Sequence, residues 1–495
     1  MQTLENQNNQ ILAKSYTIED WQGGYESLKE EFDYWIDDIE GEIPSDLSGT
    51  LLRNGPGLLD INGQRLHHPF DGDGMISRVT FTNGRAHFRN RFVQTEGYLA
   101  EQKACKILYR GVFGTQKPGG WLGNILDLKI KHIANTNVIY WGGKLLALWE
   151  AAEPYLLNPQ TLETLGNEYF DGGLAKKEAF SAHPRIDTNG NLVNFAIKPG
   201  LSTTITIFEL NSKGEITSKQ NHQVEGFCFI HDFVITENYC IFFQNPVQFN
   251  PLPYLLGISS AGQSIKFQKN QPTQIIVIPR TGKIKNQKVQ VLETKAGFIF
   301  HHVNAFEEEN KIIVDSICYQ SLTEVEPNSD YRETDFDKNS PGQLWRFNLN
   351  LSTNRVENHL ISDRACEFPV IHPNNVGKCY RYLYGSAADQ RGVNAPLQGI
   401  FKYDLESKTE QLWSAAPRGF TGEPIFVPRP NSPIEDDGWL ITVVYDAQYH
   451  RSDVVILDAA NLAKGAIAKL HLKHHIPYGL HGSFTPEIFI AEDRR

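Results

Sequence analysis

Long apolar runs are missing from this 495-residue chain. No stretch of about 18 apolar residues occurs, so no segment is expected to cross a bilayer as a helix. Cysteine is scarce. The six (Cys105, Cys228, Cys240, Cys318, Cys366 and Cys379) never stand in a CxxC spacing, which argues against a thiolate metal site and a disulfide framework. Basic charge is also short, with 47 Lys and Arg against 58 Asp and Glu and a net charge of -11. Nucleic acid, which needs a basic surface, is therefore not an expected partner. A small apolar or basic patch for a membrane surface stays compatible with that charge. No basic segment followed by an apolar run opens the sequence, and a reducing cytoplasm is the expected compartment. Residues 1–15 (MQTLENQNNQILAKS) are polar and Asn/Gln-rich, and are expected to form a flexible tail. Residues 16–495 are expected to fold as one domain.

What is present is a long series of short strand signals. GTLLRN, MISRVTFTN, VIYWGGKLLALWE, TTITIFEL, CFIHDFVIT, KIIVDSICY, CYRYLYGSA, GWLITVVYD and SDVVILD alternate or run apolar between Gly, Asn, Asp and Pro. TNGR at 82–85, DTNGN at 187–191 and PRTGK at 279–283 read as hairpin turns. The chain is read as all-β. A sandwich array and a β-propeller both fit the strand count, and the sequence shows no sharp period. Residues 21–34 read as a short helix or a packed arm. WLGNILDLKIKHI (121–133) and NPLPYLLGIS (250–259) do not read as strand. They are either core helices, or loops or helices laid over one face with their apolar residues exposed.

Four histidines stand far apart in apolar or turn-forming surroundings: His183 (SAHPRID), His231 (FCFIHDF), His301 (FIFHHVNAF) and His481 (YGLHGSF). A buried neutral imidazole is a common metal ligand, and four together suit iron, copper or zinc. Their intervals of 48, 70 and 180 residues exclude a local finger or ribbon. In a propeller, the inner strands of all blades approach one axis, and one histidine per inner strand would make a ring. Seven blades would use roughly 65–70 residues each, with long loops. His302 is adjacent to His301 on a strand and should face the other way. Each of these histidines, taken singly, is more often an ordinary core residue.

Three glutamates lie in similar settings: Glu150 (LLALWE), Glu367 (CEFP) and Glu423 (GEPIFVP). A carboxylate there needs a partner. A salt bridge or a cap would supply one. So would the second ring N–H of a metal-bound imidazole, which fixes tautomer and orientation.

RNGP (53–56), HPFDGDGM (68–75), NTN (135–137), SAHPR, FIHDF, FHHVNAFE, CEFP, GEPIFVPR and PYGLHGSF follow in an order that resembles the carotenoid cleavage oxygenases, from about residue 21 to 484, and EQKACKILYRGVFG (101–114) with HPFDGDGM carries a finer likeness within that family. The resemblance implies a seven-bladed β-propeller, with helices and long loops capping the face that carries the site. It implies Fe(2+) held by His183, His231, His301 and His481. Glu150, Glu367 and Glu423 would serve His231, His301 and His481, with Thr136 beside an open coordination position. At finer grain it implies a dioxygenase that cuts apocarotenals or apocarotenols at the central 15,15′ double bond to give retinal, with O2 as co-substrate. Such substrates live in lipid, so peripheral membrane contact is expected. No obligate protein partner is inferred. A polyene needs an apolar tunnel, for which Trp149, Phe229, Phe300, Tyr319 and Phe70 are candidates, against ordinary core packing for each. Eccentric 9,10-type cleavage, stilbene cleavage and a non-catalytic propeller with a structural metal are the alternatives.

Overall fold

The computed structural model describes residues 14–490, apart from 201, 283–287 and 327–329. Asn83 and Gly84 both take positive φ (50° and 69°). That conformation is what a two-residue hairpin with right-handed strand twist requires, and it joins Asp73–Thr82 to Arg85–Phe92. Repeated hairpins of this kind build seven sheets of four to six strands, arranged as the blades of a β-propeller.

Both ends of the described chain take part in closure. Gly482–Thr485 pairs with Gly49–Leu58 at the inner edge of the first blade. Ile39–Gly41 pairs with Ala466–His471 at the outer edge of the seventh. Two adjacent blades are thus each completed by strands from opposite ends of the sequence. The core lies between blades. One apolar cluster joins Leu51, Phe81 and Phe88 of the first blade to Trp439, Ile441 and Ile456 of the seventh. In the third blade the outer strand Ile216–Glu225 alternates exposed and half-buried side chains, while Leu192–Lys198 further in is buried along most of its length.

The innermost strands are Gly482–Thr485, Asn137–Trp141, Arg185–Ile186, Val234–Ile235, Phe298–Glu308, Cys366–Val370 and the pair Gly419–Thr421 and Ile425–Pro428. CFIHDFVIT was expected to be one strand, but only Val234–Ile235 pairs. Its preceding backbone is occupied otherwise: Phe233 N–H donates to the Asp232 side chain and Phe233 C=O accepts from Arg185. Side chains that satisfy the backbone remove it from a ladder. Of the four histidines, only His301 lies within a strand. His183, His231 and His481 stand just before theirs.

Most of the segment expected to be a flexible tail, residues 1–13, lies outside the described residues. Lys14 and Ser15, counted with it, are held by Asp337 and Gln398. Ile18–Gly23 is a short helix with Trp21 buried, as part of a packed arm. Of the two apolar segments, only Gly120–Asn124 and Pro251–Leu255 are helical. Gly119 at positive φ just before the first, Gly120 at positive φ as its first residue and Leu126 at φ 53° after it cut it short. Both lie at the surface rather than in the core. Of the expected turns, PRTGK ends at residue 283, outside the described residues. Among the described residues no helix is long and apolar enough to cross a membrane.

Candidate metal centre

Each blade brings one polar residue to the axis at its innermost strand: Thr136, His183, His231, His301, Glu367, Glu423 and His481. Local backbone irregularities aim some of them. The strand carrying His301 bulges on both sides of His302, and the strand carrying Glu367 bulges just after it. A bulge redirects a side chain relative to the pleat. Phe368 takes φ 55°, an uncommon and strained conformation for a bulky residue. It lets Phe368 N–H donate to Glu367 Oε2 at 2.8 Å.

The four imidazoles converge. One ligand atom from each lies within 4.8 Å of the others. His183 Nε2 and His231 Nε2 are 2.8 Å apart, and His301 Nε2 and His481 Nε2 are 3.2 Å apart. Behind the ring, Nδ1–H of His231 donates to Glu150 (3.0 Å), that of His301 to Glu367 (2.6 Å) and that of His481 to Glu423 (2.8 Å). Burial opposes ionisation of all three carboxyls, yet the facing imidazoles, with Arg53 at Glu423, hold them below the usual range. Each carboxylate therefore keeps a proton on Nδ1 of its partner ring and turns Nε2 inward. Burial opposes protonation of His301, yet Glu367 holds it above the ordinary histidine range, while burial holds the facing His481 below that range. Burial and the neighbouring rings push His183 well below the ordinary histidine range. The donor set fits a divalent transition metal. His302 points away, its Nδ1 against Ser316 Oγ at 2.7 Å.

Charge closes around the ring. A dication with four neutral imidazoles and three carboxylates leaves one negative charge, and Arg53 lies against Glu423. Arg53 also donates to Leu480 C=O, and Gly482 N–H donates to Glu423, so the backbone on both sides of His481 is fixed. Arg53 lies in RNGP, but nothing in that motif shows that it reaches a glutamate 370 residues away.

The five expected aromatics, Phe70, Trp149, Phe229, Phe300 and Tyr319, line one cavity of about 200 Å³ together with Thr136 and three of the histidines. Tyr319 does more than form a wall, because its hydroxyl donates to Glu367 Oε1 at 2.7 Å. Phe113, Phe368 and Leu480 also line this cavity and were not singled out from the sequence. A second cavity of about 360 Å³, bounded by Trp21, Tyr25, Phe336 and Tyr478, adjoins the first at Phe70, Tyr319, Phe368 and Leu480, which line both. Both are lined mainly by apolar side chains, and the first reaches His231, His301 and His481.

The family profile described as retinal pigment epithelial membrane protein matches residues 25–486. The chain is 53% identical to the apocarotenoid-15,15'-oxygenase of Synechocystis sp., over 95% of this chain and 97% of that protein. It is 32% identical to the lignostilbene-alpha,beta-dioxygenase isozyme III of Sphingomonas paucimobilis, over 90% and 93%. The crystal structure of cobalt-substituted Synechocystis ACO superposes with a TM-score of 0.93 at 53% identity, covering 95% of this chain and 99% of that one.

Proposed function

The chain belongs to the carotenoid cleavage oxygenases, the family of the retinal pigment epithelial membrane protein, and on that footing we propose that it is an iron(II) enzyme cutting apocarotenals or apocarotenols at the central 15,15′ double bond to give retinal. The convergence of four imidazole nitrogens within 4.8 Å, with three of the rings lining a mainly apolar cavity, carries the proposal. His183, His231, His301 and His481 would hold the ion. Held there, iron(II) would supply the chemistry that activates O2. Overall, one C=C bond breaks, two C=O bonds form, and the alkene supplies the electrons, so the reaction calls for no nicotinamide or flavin.

The chain's own residues do the rest. Glu150, Glu367 and Glu423 hold the protons on Nδ1 and so fix tautomer and ring plane. Tyr319 and Phe368 N–H fix Glu367 in turn. Thr136, which lines the cavity and whose Oγ1 lies 3.4 Å from Glu150, stands beside the open side of the ring. Phe300, Phe229 and Trp149 exclude water and set which double bond of a rigid polyene lies over the ring. Phe300→Ala and Trp149→Ala are expected to raise KM or move the cleaved bond while bound iron stays at one per chain. Chromatography and mass of the products from a panel of all-trans apocarotenals measure this. Retinal as the shared product supports central cleavage. Uniform 9,10 products would reject the bond assignment and keep the enzyme class.

The substrate arrives from lipid. Trp121, Leu122, Leu126 and Leu128 are 55–72% exposed, and Leu252 and Ile258 are 61% and 62% exposed. The two segments form one surface, since Leu126 N–H donates to Leu255 C=O at 2.9 Å. An apolar area this exposed marks a membrane or protein contact, and a lipid substrate favours the membrane. Leu122→Asp with Leu252→Asp is expected to lower sedimentation with phospholipid vesicles and to slow cleavage of vesicle-borne substrate. Activity on detergent-dispersed substrate should persist. Unchanged vesicle binding would remove this surface from the account.

A further inference from the structure

His183 differs from the other three histidines: among the described residues no carboxylate lies against its Nδ1. The backbone just before it is held by Phe195 C=O and by the Asn194 and Asn137 side chains rather than by a regular ladder. The inner strands after His183 and His231 are two residues each, Arg185–Ile186 and Val234–Ile235, so few ladder bonds hold either histidine in place. We propose that Arg185 and Asp232 form a clasp that positions three of the four histidines for the metal, in place of the missing carboxylate and the missing ladder. The inference rests on reading the histidine ring as a metal site.

The clasp joins three blades through residues that follow the histidines within two positions. Arg185, of the third blade, donates through Nη2 to Asp232 Oδ2 of the fourth at 2.6 Å, and to His302 C=O of the fifth at 3.1 Å. Its Nε donates to Phe233 C=O at 3.1 Å. Asp232 Oδ2 also accepts from His302 N–H at 2.8 Å, and Oδ1 accepts from Phe233 N–H at 2.7 Å. Backbone donors and acceptors beside His231 and His301 are therefore spent on one ion pair anchored beside His183. The Asp232 side chain is 1% exposed and that of Arg185 is 19% exposed. A buried pair of this kind is a poor source of stability, because desolvation offsets its attraction. Its directional bonds can instead fix the spacing of the segments it joins. Arg185 and Asp232 are positioning residues and do not line the cavity at the histidines.

The test separates positioning from plain stability. Asp232→Asn keeps shape and loses charge. Arg185→Lys keeps charge but loses the planar fork that reaches Asp232, Phe233 and His302 together. The control is Arg346→Lys, which weakens the paired bonds from Arg346 to Asp315 (2.7 Å each) within the fifth blade. Metal affinity is read by chelator competition with Fe(II) and Co(II), the visible spectrum of the Co(II)-loaded protein reports ligand geometry, and thermal midpoints of the metal-free proteins report the fold. Both clasp variants are expected to bind metal roughly 10–100-fold more weakly, as changes behind metal ligands do, with a shifted Co(II) spectrum. Arg346→Lys should bind like the wild type, whatever its thermal midpoint. Wild-type affinity and spectrum in both clasp variants would overturn the inference, as would an equal loss in Arg346→Lys. A wild-type chain that binds neither ion would instead overturn the metal site itself.

Discussion

His183→Ala, His231→Ala, His301→Ala and His481→Ala are each expected to lose bound iron and polyene cleavage together, while His302→Ala keeps iron. Each of the four contributes one nitrogen to a set lying within 4.8 Å, and no other described side chain is placed to replace a missing donor. Truncating one also leaves its carboxylate partner, where there is one, buried without its imidazole. His302 shares chain, strand and chemistry with His301 but faces Ser316, and burial pushes it down to about 4, so it is a neutral core residue. His302→Ala removes a side-chain bond and leaves the backbone N–H that Asp232 accepts from. Metal analysis of the five purified variants checks this. Loss of iron in His302→Ala with retention in His301→Ala would show that the wrong face of the strand has been assigned.

The carboxylates should not be equal. Glu423 accepts from His481, Arg53 and the backbone of Gly482. Glu150 accepts from His231 and, at 3.4 Å, from Thr136. Glu423→Gln is therefore expected to cost the most of the three glutamate-to-glutamine changes. Iron affinity should fall at least toward the upper end of the roughly 10–100-fold range for such partners. Stability should fall as well, since Arg53 would be left buried without its counter-charge, a loss that costs about 3–5 kcal/mol where one partner of a buried pair is removed. Glu150→Gln should lose affinity with little change in stability, and Glu367→Gln should fall between them. Iron titration and denaturant unfolding of the metal-free variants test the order. Equal effects in all three, or full affinity in Glu423→Gln, would contradict it.

The histidine ring was legible in the sequence because each member sits in an apolar or turn-forming context at an interval no local motif uses. The bulky apolar flanks LLALWE, FCFIHDF and FIFHHVNAF also announced the cavity wall around them. Other parts of the site were not legible for definite reasons. Arg53 and Glu423 are 370 residues apart and meet only because the last inner strand closes onto the first blade, which no local pattern encodes. Asp232 reads as part of a strand, FIHDF, yet its side chain takes the bonds that would have made that strand. Tyr319 reads as an aromatic wall, and its hydroxyl contact with Glu367 depends on a bulge in a different blade. The two apolar segments carry helical spacing but not helical length, since backbone at positive φ interrupts the first. Periodicity alone leaves open which face such residues turn outward.

One incubation tests the central claim most directly. The purified protein, loaded with one Fe(II) per chain, is given an all-trans apocarotenal in an oxygen-electrode cell without nicotinamide or flavin, and the products are separated and weighed. Uptake of one O2 per polyene consumed and release of retinal with a shorter carbonyl fragment are expected, both absent in His481→Ala. A protein that holds iron at the four histidines yet consumes no oxygen and cleaves no polyene would contradict that claim.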